Sequence, residues 1–284
     1  RGIALGISLA GFGVGAALIP PLAQYLIEQW GWREAYLAFA ALILFVSLPL
    51  TALLLRETPQ QMGLPVDGVH AGSGPDNLSQ NGDASLGLSA AEALQQRSYW
   101  FIFGSFLLVG IGITSILAHL VPLLIGRGVD PTLAALCMSS LGIGLIVGRI
   151  LAGYLMDRYF APHVAALFLV GLLVGVIVLA AGASGPVVFL AAILIGLATG
   201  SEISEIAYIV SRYFGPKAFG LLYGSMFAAF QIGSAVGAYA MGRYYDHAGN
   251  YIAALWVVSA LVGAGIVLML MLGKYPDLGS KNHT

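Results

Sequence analysis

The sequence encodes an all-α polytopic membrane protein, and three observations carry that reading. Charged residues make up only 9 % of the 284-residue chain, where a soluble domain holds about 25 %. Hydrophobic residues make up 59 %, and mean hydropathy is +0.90. Eight separate runs are apolar enough and long enough to cross a bilayer: 3–27, 34–55, 99–125, 131–156, 163–182, 187–210, 219–241 and 252–273. A hydrocarbon core of about 30 Å needs roughly 20 residues of helix. Their Leu, Ala and Gly content favours helices over the alternating pattern of a membrane barrel. They are too uniformly apolar for helices lying on a surface.

In chain order, the first run is too long for a signal peptide and holds Pro20-Pro21 inside it. The second follows the turn Gly31-Trp32-Arg33. Residues 56–98 form the one long connection, with the linker composition Gly72-Ser73-Gly74-Pro75-Asp76-Asn77. Ser89 to Gln96 reads as a short surface helix leading into the third run. That run carries His119 just before Pro122. The fourth ends in Gly148-Arg149-Ile150-Leu151-Ala152-Gly153-Tyr154-Leu155-Met156-Asp157-Arg158. The sixth carries Glu202 and Glu205, and the seventh Gln231 near its middle. Asp246, with Tyr251 after Gly249-Asn250, is expected to cap the turn into the eighth.

The basic residues orient the bundle. Arg1, Arg56, Arg97, Arg158, Arg212, Lys217, Lys274 and Lys281 fall at one end; Arg33, Arg127 and Arg243 fall at the other. The basic-rich end is expected in the cytoplasm, with both termini of the chain and the loop 56–98. Asn77-Leu78-Ser79 and Asn282-His283-Thr284 match a glycosylation pattern but fall on that side, which argues against their use.

A net charge of −1 gives no basic field for nucleic acid, and the single Cys137 cannot form an internal disulfide. No Cys/His spacing suggests a structural metal. There is no phosphate-cradling Walker loop, so ATP does not drive the protein directly. No cofactor is expected.

An internal repeat links the two ends of the chain. At a constant offset of 218, Gly2 meets Gly220, Gly6 meets Gly224, Ala10 meets Ala228, Phe12 meets Phe230 and Gly15 meets Gly233. Ala17, Gly31, Ala35 and Leu37 meet Ala235, Gly249, Ala253 and Leu255. Runs one and two thus pair with runs seven and eight, and runs three to six have no partner. If 99–273 is one six-helix unit, its first copy starts about 120 residues before Arg1 at this offset. Four helices are then expected upstream, and the chain by itself is expected to insert without moving a solute.

Arg149, Gly153 and Asp157 recur every four residues and share a helix face. Gly153 offers a close approach for another backbone, and Asp157 stands where it could face a neighbouring helix N-terminus. Arg149 lies about two turns inside the membrane, where a charge costs several kcal/mol unless paired. Glu202 and Glu205 sit at nearly the same depth, so an ion pair of Arg149 with one of them is expected. Two readings of it stand open: a permanent structural pair, or a switchable pair whose carboxylate takes a proton. His119 has two readings as well, a carboxylate-binding or titrating imidazole or a bond to a helix carbonyl. Gln231 bonds either a neighbouring helix or a solute. Tyr223, Thr199, Thr114 and Ser115 are weaker cavity candidates. The glycine pairs Gly11/Gly15, Gly144/Gly148, Gly196/Gly200 and Gly233/Gly237 read as close helix packing.

The stretch Gly148–Arg158 resembles the loop motif of the major facilitator superfamily, in which a glycine is followed four residues on by Asp-Arg. Gly31-Trp32-Arg33 resembles the turn between that family's fifth and sixth helices. Pro59-Gln60-Gln61-Met62-Gly63-Leu64-Pro65-Val66-Asp67-Gly68 resembles the start of its central loop. Arg212-Tyr213-Phe214-Gly215, with Phe219-Gly220-Leu221-Leu222-Tyr223-Gly224, resembles the turn between its tenth and eleventh helices. The resemblance implies the major facilitator fold, with eight of twelve transmembrane helices present, five to twelve. It implies residues 1–55 as the end of the N-terminal bundle, 56–98 as the central loop, 99–273 as the C-terminal bundle and 274–284 as a tail. The bacterial oxalate/formate-antiporter-like and monocarboxylate-transporter-like branch is the nearest in pattern, which implies a bacterial inner membrane.

What the resemblance implies for function is a secondary transporter working by alternating access. The solute would be a small organic anion, a mono- or dicarboxylate, with protons as a possible second partner and the full-length protein a monomer. Gly148, Arg149, Gly153, Asp157 and Arg158 would be gating residues, with Asp157 holding the start of run one near Gly2. The alternative is a drug or metabolite exporter of the same fold, although run one lacks the Gly-Pro-x-x-Gly-Gly arrangement of drug/proton antiporters. A membrane enzyme is disfavoured, since His119 lies in the opposite half from Glu202, Glu205 and Asp157. A non-transporting signalling or assembly protein is disfavoured by the intramembrane charges.

Overall fold

The computed structural model describes residues 2–54 and 87–276, and the regular elements among them are all helical. Seven of the eight expected spans are helices long and apolar enough to cross a membrane. The remaining one, 3–27, lies within the 29-residue helix α1 (Gly2–Trp30). The chain divides into two compact units, Leu22–Ser85 and Arg1–Pro21 with Leu86–Thr284. The expected six-helix unit, 99–273, falls within the second.

In the smaller unit, α1 ends at Gly31, whose φ of +93° suits a residue without a β-carbon. Helix α2 (Trp32–Leu42) follows, then one π turn at Ile43–Ser47, then α3 (Leu48–Leu54). Pro49 explains the π turn. It has no amide hydrogen, so the Phe45 carbonyl loses its usual partner four residues on. The ladder slips by one residue, and the Leu48 amide bonds to the Ile43 carbonyl. Thr51 Oγ1 adds a bond to the Ser47 carbonyl at 2.8 Å.

The larger unit holds α4 (Ala90–Leu94), α5 (Arg97–Ile125), α6 (Pro131–Met156), α7 (Ala161–Ala180), α8 (Pro186–Phe214), α9 (Phe219–Ala248) and α10 (Ile252–Leu270). Helix α4 is the short helix expected before the third span. Ser89 Oγ accepts the Glu92 amide at 3.4 Å, and Glu92 Oε2 accepts the Ser89 amide at 2.8 Å, a complete capping box. The Leu88 amide then donates to the Phe214 carbonyl at 2.8 Å, so the end of the long connection is fastened to the end of α8. Asp130 starts α6 by accepting the Thr132 and Leu133 amides, at 2.9 and 3.3 Å, with Pro131 at the first helical position.

Helix α9 stops at Gly249 in the left-handed conformation, φ +66°. The cap of the turn that follows is Asn250, whose Oδ1 accepts the Ile252 amide at 3.1 Å. This corrects the expectation for Asp246, which lies exposed on the last turn of α9. Asn250 wins because it stands two residues before Ile252, within reach of the first free amide of α10.

Within the bundle, α6 packs along α8 and α5 along α9, while α10 packs on α7 and α5, and α7 on α8. Leucine, isoleucine and phenylalanine fill the space between, among them Phe106, Ile113, Leu172, Ile195 and Leu255, all almost fully buried. Arg127, in the turn after α5, donates from Nη2 to the Leu179 carbonyl at 2.7 Å. A guanidinium there suits the negative end of the α7 dipole.

Candidate functional site

The site begins with glycines. Helices α6 and α8 cross in backbone contact through Gly144 and Gly148 on one side and Gly196 and Gly200 on the other. A β-carbon at Gly148 would stand 2.1 Å from the Leu197 carbonyl oxygen, and one at Gly196 2.0 Å from that of Leu141. At Gly200 it would stand 2.1 Å from the Leu145 oxygen and 3.0 Å from the Arg149 amide. No side chain fits there, so the packing read from the sequence is what these pairs do. Gly233 and Gly237 bring α9 onto α5 in the same way, against the Leu107 and Ile111 carbonyls.

Arg149 projects from this crossing. It is buried, and its Nε donates to the Gly200 carbonyl at 3.4 Å. Glu202 and Glu205, on α8, are 4 % and 2 % exposed. The next residues round the helix, Ile203, Ser204, Ala207 and Tyr208, are partly exposed, so both carboxylates lie on the buried face with Ile206 and Ile209. Arg149 interacts electrostatically with Glu202, and Glu202 with Glu205. Oε1 of each glutamate is buried without a hydrogen-bond partner. Both carboxylates are closed off from solvent in this arrangement.

His119 stands apart, towards the opposite end. Its Nε2 lies 3.0 Å from the Ala238 carbonyl of α9, and the Tyr251 hydroxyl lies 3.4 Å from its Nδ1. A carbonyl only accepts, so Nε2 carries the proton and Nδ1 is left to accept from Tyr251. Both ring nitrogens are engaged by protein, which favours the helix-carbonyl reading over solute binding. Tyr245 stacks on Tyr251 at 4.5 Å. Burial and the neighbouring Tyr245 and Asp246 push the Tyr251 phenol up from its ordinary value.

Gln231 is exposed on α9, and its amide is held by no described residue. One and two turns before it on the same face come Phe227 and Tyr223. Tyr223 stacks nearly parallel on Phe219 at 5.7 Å and on Phe227 at 6.2 Å. Only Tyr223 of this ladder was legible as a candidate; spacing by four from Gln231 would have found the rest. Thr199 Oγ1 bonds back to its own helix at Ile195, 2.8 Å. Ser115 is buried and Thr114 half-buried on α5.

The residues of the motif Gly148–Arg158 divide. Gly148 and Arg149 belong to the crossing. Asp157 is the exposed C-terminal cap of α6, and Arg158 lies 4.2 Å over the Tyr154 ring. A β-carbon at Gly153 would meet nothing within 4 Å, so no described residue makes the close approach expected there. Pro59–Gly68 and both glycosylation patterns lie outside the described residues. Among the described residues no three His, Cys, Asp or Glu side chains gather to hold a metal.

The family model for the Major Facilitator Superfamily matches residues 1–238 and 103–284, and so the entire chain. Monocarboxylate transporter 12-B of Danio rerio is 33 % identical over 175 residues, 56 % of this chain and 36 % of that protein. Monocarboxylate transporter 13 of Bos taurus is 29 % identical over 276 residues, 95 % of this chain and 60 % of that one. Among solved structures, the superfamily transporter FucP in its outward conformation aligns with a TM-score of 0.52 at 20 % identity, over 85 % of this chain and 55 % of its own. The chain spans less than two thirds of the length of these proteins.

Proposed function

The chain belongs to the major facilitator superfamily, and on that premise we propose that the protein is a secondary transporter of a small organic anion, a mono- or dicarboxylate, worked by alternating access. The observation that carries this is the cluster of Arg149, Glu202 and Glu205 at the α6–α8 crossing. Two carboxylates and one guanidinium leave one negative charge over, in a place where an unmatched charge is costly. A proton shared by the glutamates restores neutrality. A monocarboxylate carried with one proton then crosses without net charge, a dicarboxylate with one negative charge left over, and ion or substrate gradients drive the movement. The names of the similar monocarboxylate transporters support the solute class.

In this reading Arg149 holds Glu202 in one state of the cycle and turns to the anion in another. Asp157 and Arg158 act at the α6 end as gating residues, and the aromatic face ending at Gln231 borders the solute path. The basic-rich end, with both termini of the chain, faces the cytoplasm of a bacterial inner membrane, and the full-length protein works as a monomer. Liposomes carrying the full-length protein, given labelled mono- and dicarboxylates with and without an acid exterior, test the assignment. Accumulation of at least one carboxylate, increased by the acid exterior, is expected. Absence of uptake for every carboxylate under either gradient would remove the solute class.

A further inference from the structure

The carboxylate-bearing face of α8 does not end in open solvent. Glu202, Glu205, Ile209 and Tyr213 follow at positions i, i+3, i+7 and i+11, which share one helix face, and all four are buried. Tyr213 is the last of them, and its hydroxyl donates to the Gly273 carbonyl, just after α10 ends. Two residues on, Tyr275 reaches the start of α7. That helix has Phe160 in its capping position, which offers no side-chain acceptor, and Pro162 has no amide hydrogen. The orphan Ala161 amide donates instead to Tyr275 Oη at 3.0 Å. The Tyr275 ring lies 4.8 Å from Phe160 and 5.2 Å from Tyr213, with the Arg212 guanidinium 4.8 Å over its face.

We propose that residues 272–275 are a lid over the basic-rich end of this face, whose opening admits solvent to Glu202 and Glu205. Leu272 anchors it in the core, while Gly273 and Lys274 are exposed. The rest is held by two hydroxyl hydrogen bonds and ring contacts, so it releases more readily than the buried helices beside it. The closed lid fixes the ends of α7, α8 and α10 together.

The test uses full-length protein in liposomes, with Cys137→Ser and a reporter cysteine at Glu205→Cys, labelled by a small charged methanethiosulfonate. Tyr275→Phe and Tyr213→Phe each remove one hydrogen bond and are expected to raise the labelling rate about fivefold. Tyr275→Ala is expected to raise it at least about tenfold and to speed tryptic cleavage after Lys274. A second reporter, Ile113→Cys on α5, is expected to keep its rate in every variant. An unchanged rate at position 205 in Tyr275→Ala would overturn the lid, and so would an equal rise at position 113, which would mean a loosened bundle. The readout is independent of transport: failure here leaves the anion reading standing, and failure of carboxylate uptake leaves the lid standing.

Discussion

Gly148 of α6 lies against Leu197 of α8 so closely that a β-carbon would stand 2.1 Å from the leucine's carbonyl oxygen. The obstacle is backbone, which cannot swing aside as a side chain can. Gly148→Ala and Gly200→Ala are therefore expected to force the helices apart, at a cost of about 1–3 kcal/mol each. Gly153→Ala, five residues along the same helix with nothing within 4 Å, is expected to leave the bundle's stability unchanged. Thermal unfolding of the purified full-length variants checks the contrast; equal losses at positions 148 and 153 would mean that the crossing does not set the packing.

Arg149 and Glu202 are both buried and act on each other. Removing one leaves an unmatched charge, so Arg149→Gln is expected to destabilise by about 3–5 kcal/mol. Arg149→Gln with Glu202→Gln is expected to recover much of that loss, because Glu205 keeps the shared proton and no orphan charge remains. A double-mutant cycle on unfolding measures the coupling. Additive losses would show that Arg149 is matched elsewhere.

His119 ties α5 to α9 through Ala238 and meets Tyr251. His119→Phe is expected to cost about 1 kcal/mol of stability, the net worth of a hydrogen bond, and to leave the KM for any carboxylate unchanged. A KM raised tenfold in a variant of normal stability would restore this imidazole as a solute ligand.

Ser89 closes a capping box with Glu92, and the adjacent Leu88 is fastened to Phe214. Ser89→Ala is expected to fray α4, at about 1 kcal/mol, with faster hydrogen exchange at residues 88–94. Unchanged exchange there would place the stability of α4 in its contacts with α5 and not in its cap.

The spans were legible because the bilayer demands long apolar helices, a signal that each stretch of sequence carries alone. Gly144/Gly148 and Gly196/Gly200 were legible for a related reason: spacing by four states that a face is bare. The site was half legible. Charges inside apolar runs marked Arg149, Glu202 and Glu205, but their spacing does not say which carboxylate answers the guanidinium, nor that both lie on the buried face of α8. Those facts depend on how α6 crosses α8. The Asp246 expectation failed locally, because Asn250 competes for the same amides from a better position. Tyr275 was illegible, since its partners, Ala161 and the Tyr213 ring, are far away in sequence and meet it only after the bundle closes.

The proposed transport cycle requires the Glu202–Glu205 pair to carry the proton that accompanies an anion. This requirement is tested most directly by proteoliposome uptake across a range of pH, comparing the full-length protein with Glu202→Gln and Glu205→Gln. At least one glutamine variant is expected to lose the stimulation by external acid while exchange of carboxylate across the membrane persists. Stimulation by acid that is unchanged in both variants would contradict it.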